Sequence, residues 1–526
     1  MRKNVLRISA FVVSAVLLVS SLTACGSSES GATSTTGTDS PTSALSETPG
    51  NQLKEVTLKF FFPGDDKAGK NDVLNYLYEQ TKDKLNSKFE FNFVPFGDYS
   101  NKMTMLSASG DTYDASFTAD WFNYSSMVNK GAYLELNDLM PQYAPNLYKI
   151  YQDNNMISAC SVGGQLMALP WTMVKTSKPV FCWRDDIAKK YNITANKDDL
   201  TTIEGIDKFL TELAKAETGI TPFSMSINGA GLQGGIISLL EPKYEMDPMG
   251  FHSLYMDLND PSHKVIPLEQ TPMFKEAVTL AKKWYDSGVI SKNAMSSKDN
   301  REYENGKALT GKNTAQYLYE TVNFTDKSAV NSAVEVYPGK KYRRDSPLNN
   351  ALAINKNAAN PERALMFIDL LSSDQNIYDI VQYGIKDKTY TMDANNVVGI
   401  TANEDSSKPL WQNWTGQWAL WRINFQRATT SITADAIKNE QAYATRDNII
   451  VTPVTGLVPN TDAIKTEIAK RDQIFEESGK MLLAGIVKGD IDKAINDYIA
   501  KQKAAGLDKI LADVQKQVDS YISAKK

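Results

Sequence analysis

Val56-Thr57-Leu58-Lys59-Phe60-Phe61-Phe62-Pro63-Gly64-Asp65-Asp66 is the stretch on which the fold turns. Val56, Leu58, Phe60 and Phe62 stand at alternate positions, the period of a strand with one apolar face, and Pro63-Gly64-Asp65-Asp66 ends it in turn residues. Downstream, Val73, Leu74, Leu77, Tyr78 and Leu85 fall at helical spacing, which predicts a helix from Asn71 to about Lys84. Phe89, Phe91 and Phe93 alternate as a second strand, Tyr99 to Ser109 reads as a second helix, and Tyr113 to Phe117 as a third strand. Strands alternating with helices predict a parallel α/β sheet.

Further along, Ile206, Phe209, Leu210 and Leu213 share one side of a helix expected over Ile203 to Ala216, and Phe274 to Trp284 reads as another. Val334-Glu335-Val336-Tyr337 predicts a strand ended by Pro338-Gly339. Asn360-Pro361-Glu362 is a helix start, with an Asn cap and Pro in the first turn, and Leu365, Ile368 and Leu371 give that helix its apolar face. Leu507, Ile510, Leu511, Val514, Val518, Tyr521 and Ile522 carry a helical stripe to the C-terminal end. No internal repeat and no breaker-rich linker divides the chain after residue 55, so two lobes would be joined by short crossings.

The first residues read differently. Arg2, Lys3 and Arg7 precede an uncharged run from Ile8 to Leu22, too short for a comfortable membrane span and shaped like a secretory signal peptide. Leu22-Thr23-Ala24-Cys25-Gly26 resembles the bacterial lipobox, which implies cleavage after residue 24 and lipidation of Cys25. Two acyl chains suffice for stable anchoring, each buried CH2 contributing roughly 0.8 kcal/mol. Residues 26 to about 54 are Ser, Thr, Gly and Pro with few apolar side chains, so they cannot offset their ordering entropy and read as a flexible tether.

Composition excludes several classes. The net charge is −5, and removal of Arg2, Lys3 and Arg7 makes the mature chain more acidic, which argues against nucleic acid as a partner. Only His252 and His263 are present, without zinc-type partners nearby, so neither a His-based metal site nor a triad is expected, and no cofactor is implied. Gly306 to Asn313 nearly matches a phosphate-binding loop but has Asn where a magnesium-holding Ser or Thr belongs. Cys160 and Cys182 would be a pair or two buried thiols; spacing does not decide.

Several segments, in order, resemble extracellular solute-binding proteins of the sugar-type ABC importers. They are Asp111-Thr112-Tyr113-Asp114 with Asp120-Trp121; Asn129 to Leu136; Gly163 to Pro170; Phe181 to Asp186; and Asn350 to Ile354 with Asn360 to Ala364. Tyr383 to Lys386, Val454 to Leu457, Ile464 to Ala469 and Lys503 to Leu507 are similar to a C-terminal region of unassigned function that closes many Gram-positive members. The resemblance implies a two-lobe, type II periplasmic-binding-protein-like α/β fold with a helical C-terminal region. Residues 55–169 and 338–400 would form lobe 1, and 170–337 and 401–526 lobe 2. It also implies a monomer without catalysis, held by lipid on the outer face of the cytoplasmic membrane, passing a carbohydrate to ABC permease subunits.

Ligands of open α/β sheets bind beyond the carboxyl ends of the strands. The candidates are therefore Asp65 and Asp66, Asp120, Trp121 and Tyr124, Trp171, Arg184 and Tyr337. Aromatic rings suit the apolar face of a pyranose, and the charged groups suit its hydroxyls. Trp411, Trp414, Trp418 and Trp421, spaced 3, 4 and 3, would share one arc of a helix opened by Lys408-Pro409, although Gly416 opposes it. The arc is either a packing seam or a stacking wall, with Trp414 or Trp418 facing the cleft. Two readings remain beside the sugar receptor: a surface glycosidase using two carboxylates, and a receptor of the same architecture that binds peptide.

Overall fold

Strand β1, Val56–Pro63, lies between β2, Ser87–Val94, and β3, Ala115–Thr118, parallel to both. Helices α1, Lys70–Leu85, and α2, Phe96–Ser109, make the two connections. The computed structural model describes residues 53–524, apart from 163, 174–175, 177–179, 226–234, 250–252, 297–300, 311–323, 402–407, 413, 415 and 430–431. The signal sequence, Cys25 and nearly all of the tether lie outside the described residues, as does His252.

The register explains why β1 is central. Leu58, Phe60 and Phe62 pair with Phe89, Phe91 and Phe93, so the alternating apolar faces coincide. Tyr99 of α2 donates its hydroxyl to the carbonyls of Phe61 and Phe117, tying helix to sheet across β1 and β3. The sheet is completed by Ala351–Ile354, antiparallel to β3, and then by Leu169–Pro170, giving the order β2, β1, β3, Ala351–Ile354, Leu169–Pro170. Asp114, just before β3, accepts from the amides of Lys59 and Asn360, so it fixes both β1 and the start of the helix Pro361–Ser373. Asn360 stands at the cap position, but its side chain makes no cap hydrogen bond, contrary to expectation; its amide is held by Asp114 instead.

A second apolar cluster forms around two strand pairs. Val180–Arg184 runs antiparallel to Asn331–Glu335, and Thr221–Phe223 parallel to Ala308–Thr310. Helices Ile203–Lys215, Ile236–Tyr244 and Pro272–Asp286 cover them with Phe209, Leu240, Phe274 and Trp284. Ala308–Thr310 is a strand that follows Gly306, the wrong order for a phosphate-binding loop; residues 311–313 lie outside the described residues. Cys160 belongs to the first cluster and Cys182 to a strand of the second; both are buried, and they are not joined to each other.

A third, smaller cluster joins the antiparallel strands Met246–Pro248, Leu254–Asp257 and Ile266–Pro267 to the helices Lys465–Ile474 and Leu507–Ala524. The helix Ile491–Ala504 sends Ile495 and Tyr498 into the second cluster. The lobe assignment needs one correction. Trp411, Trp414, Ala419 and Leu420 belong to the first cluster, so the chain leaves lobe 1 only after Leu420 rather than at residue 400.

The chain crosses between the clusters after Trp171, after Tyr337 and after Trp421, and the crossings are laced together. Thr176 bridges Arg344, Tyr342–Arg343 pairs with Ile449–Ile450, and Thr172 takes the carbonyl of Trp421 through its amide. Three crossings pinned side by side resist shear and leave rotation about their common line as the soft motion.

Candidate functional site

The strand order reverses at β1, with β2 on one side and β3 on the other, so the crevice lies at the carboxyl ends of β1 and β3. Asp65 and Asp66 stand exposed at the end of β1, with Asp66 paired to Lys70 at 2.6 Å. Asp120 and Trp121 follow β3. Trp121 is 47% exposed, unlike almost every other large apolar residue described, and its indole N–H donates to the carbonyl of Asn349 at 2.5 Å. Phe96, 43% exposed at the end of β2, lies parallel to it, with ring centroids 6.2 Å apart and planes at 11°. Phe122 braces both rings from the side. Two open aromatic faces, drawn from two strand ends, thus form a platform over the crevice.

Asp120 keeps solvent contact, yet its carboxyl is held above the usual range, chiefly by loss of water among crowding groups, with Ser346 and Arg343 pulling it back. Trp418 is half-buried at the same edge, its ring 6.2 Å from that of Phe117. The turn that carries it depends on Gly416. At φ +88°, this residue sits so close to β1 that a Cβ would lie 2.9 Å from Cδ of Pro63.

That glycine also corrects the helix expected through the tryptophans. The chain makes a short 3-10 turn, Gln417–Leu420, and the four rings do not share one arc: Trp411 and Trp414 stay in contact at 5.8 Å, while Trp418 packs on Phe117 and Trp421 on Trp171. Trp414 is 1% exposed; its ring packs against Phe62 at 4.8 Å, and both it and Trp411 donate to the carbonyl of Val381. Trp421 stacks on Trp171 at 5.6 Å. Trp171 is buried, so its faces serve the crossing rather than a ligand.

Three other candidates are corrected likewise. Tyr124 is fully buried, its hydroxyl donating to the carbonyl of Cys160. Arg184 is buried in the second lobe, bidentate to Asp186 at 2.8 and 2.6 Å and lying over the ring of Phe324. Tyr337 is half-buried; its hydroxyl accepts from the amide of Ile203 and donates to Glu204, which closes the helix Ile203–Lys215. The platform residue that sequence reasoning missed is Phe96. The carboxyl-end argument applies to β2 as well, and Val94-Pro95-Phe96 is its breaker followed by an aromatic.

Behind the cleft, Arg343 on a crossing strand is 3.1 Å from buried Asp247 and 3.8 Å from Asp345. Burial raises Asp247 to about 6, with Arg343 and Thr452 opposing. Burial raises Glu241 to about 7, with a hydrogen bond from Tyr255 and the charge of Arg343 opposing. Folded values above unfolded ones mean that the native state holds protons the unfolded chain has released. This stabilisation is full below about pH 4 and is lost as pH rises through 7. Urea denaturation from pH 5 to pH 8 is therefore expected to show falling stability. Glu241→Gln should flatten the profile by roughly 1–3 kcal/mol, and an unchanged slope would refute the assignment.

Among the described residues, no cluster of three or more His, Cys, Asp or Glu could hold a metal, and no helix is long and apolar enough to cross a membrane. Comparison with known proteins adds the following. Residues 67–377 match the family model described as bacterial extracellular solute-binding protein. Residues 453–523 match a domain of unknown function, DUF3502. A carbohydrate ABC transporter substrate-binding protein of Streptococcus pneumoniae serotype 4 is 24% identical over 481 residues, covering 89% of this chain and 91% of that protein. The crystal structure of the N-glycan transport solute binding protein NgtS from Streptococcus pneumoniae superposes with a TM-score of 0.74 at 22% identity, covering 90% of this chain and all of that one. An HMO binding, ABC-transporter associated solute binding protein from Bifidobacterium longum infantis gives 0.66 at 14% identity, with 90% and 100% covered.

Proposed function

The chain belongs to the bacterial extracellular solute-binding protein family, and from that premise we propose that it captures an oligosaccharide between two lobes for an ABC importer. It is a transport component rather than an enzyme. The observation that carries the choice of solute is the open platform of Trp121 and Phe96 beside Asp120 at the carboxyl edge of the sheet. Flat apolar faces next to a carboxylate suit a sugar, whose C–H face stacks while its hydroxyls donate. The named relatives, described as carbohydrate and N-glycan receptors, support the same reading. Lipidation at Cys25 would keep the receptor beside its permease, and it would act as a monomer.

Energy permits closure as the signal. Moving an open-to-closed ratio from 1:99 to 99:1 takes about 5.5 kcal/mol of differential affinity, and a micromolar ligand supplies about 8 kcal/mol in total. A ligand touching one lobe alone would bind without closing the pair. Titration calorimetry of the full chain with mannose-containing N-glycans, milk oligosaccharides, their monosaccharides and a peptide pool tests the proposal. Saturable binding of an oligosaccharide without cleavage is expected. Saturable binding of peptide alone, or release of smaller sugars, would replace it.

A further inference from the structure

We infer that residues 452–458, with the helix Leu507–Ala524, form a strap across the lobes that limits how far they part. The segment begins on the hinge. Ile449–Ile450 runs beside the crossing strand Tyr342–Arg343, and buried Thr452 follows, its hydroxyl 3.2 Å from that of Thr455. The chain then turns tightly, the amide of Thr455 reaching the carbonyl of Thr452 and that of Leu457 the carbonyl of Val454.

At the apex the turn meets the other lobe. Gly456, at φ +86°, lies so close to Ala159 that a Cβ would be 2.1 Å from its carbonyl oxygen. Cys160, the next residue, is in the first apolar cluster, and Val458 packs against that same cluster. The base of the turn is held from the other direction. Tyr521 donates its hydroxyl to the carbonyl of Thr455 at 2.9 Å, and the Gln517 side chain accepts from the amide of Asn460 at 2.7 Å and donates to its carbonyl at 2.9 Å. Val454 packs with Val514 and Val518 in the third cluster.

One short turn thus touches lobe 1 at its tip while its base is fixed to helices seated on the strands 246–267. A cavity of about 690 Å3, lined by Tyr151, Asn155, Ser158 and Tyr521, opens beside the contact. The contact flanks the crossing that carries Arg344, whose guanidinium donates to the carbonyl of Asn154 at 3.0 Å, and because it bridges both bodies, rotation about the crossings must load it. All of the strap but its end residues Thr452 and Ala524 falls inside the matched region of unknown function, and the strap gives that region a role.

Gly456→Val forces a left-handed residue and a backbone overlap, which should lift the tip from Ala159. Tyr521→Phe removes only the hydroxyl that holds the turn, so it remains informative where the first variant does not fold. Small-angle scattering of the ligand-free full chain should show a larger radius of gyration in the folded variants, more for Gly456→Val. Amide exchange at Cys160 should accelerate alongside. An unchanged radius of gyration in whichever variants fold overturns the inference. No ligand enters the measurement, so its outcome is separate from the identity of the solute.

Discussion

Trp121→Ala leaves the protein folded and weakens oligosaccharide binding by roughly 10- to 100-fold. An aromatic side chain that is covered on binding contributes about 1.5–3 kcal/mol, and each 1.4 kcal/mol is a factor of ten in affinity. Trp121 has that surface to give, since nearly half of it faces solvent in the free protein. Its ring is also held in place beforehand, by the N–H bond to Asn349 and by Phe96 and Phe122, so little ordering entropy opposes binding. Trp121→Phe keeps an aromatic face but loses the N–H anchor, and a smaller loss is expected. Trp414→Ala supplies the contrast. That ring is buried between Phe62 and Phe93, so its removal should cost about 3–5 kcal/mol of stability. Calorimetry and thermal melts on the three variants separate the roles; binding by Trp121→Ala equal to that of the parent would remove the platform from the site.

The contrast also marks how much was legible in the sequence. The alternation of Leu58, Phe60 and Phe62 needed no partner to be read, because a strand with one buried face imposes period two on its own residues. Asp65 and Asp66 follow β1, and Asp120 and Trp121 follow β3, the strand ends to which the carboxyl-end rule points. The tryptophan spacing failed because a tertiary contact outweighed a local period: Gly416 seats the chain against Pro63, and no helix can carry that left-handed turn. Arg184 and Tyr337 failed for a related reason. Tyr337 is held by Ile203, and Arg184 in part by Tyr303 and Phe324, all more than a hundred residues away, while Asp186, two residues on, is the one local sign that Arg184 is committed.

Arg471→Ala is expected to cost about 3–5 kcal/mol at pH 8, the range for breaking a buried ion pair from one side. Arg471, in the helix Lys465–Ile474, holds both carboxylate oxygens of Glu269 at 3.2 and 2.9 Å, and neither residue reaches solvent appreciably. Burial lifts the Glu269 carboxyl above its usual value, and the charge of Arg471 pulls it back. Without that cation the orphaned carboxylate should rise further and take a proton in the folded state, while the unfolded chain titrates near 4.3. Below its new folded value the variant no longer buries an uncompensated charge, so its deficit should shrink as pH falls from 8 towards 5. Urea denaturation of parent and variant at both pH values measures this. A deficit equal at the two would mean that lost packing, not stranded charge, is the cost. Glu269→Gln combined with Arg471→Met should recover much of the loss, since neutral groups of similar size leave no charge behind. The pair binds the matched C-terminal region to the second lobe, and a strap can restrain opening only if this end holds while the tip at Ala159 is under load.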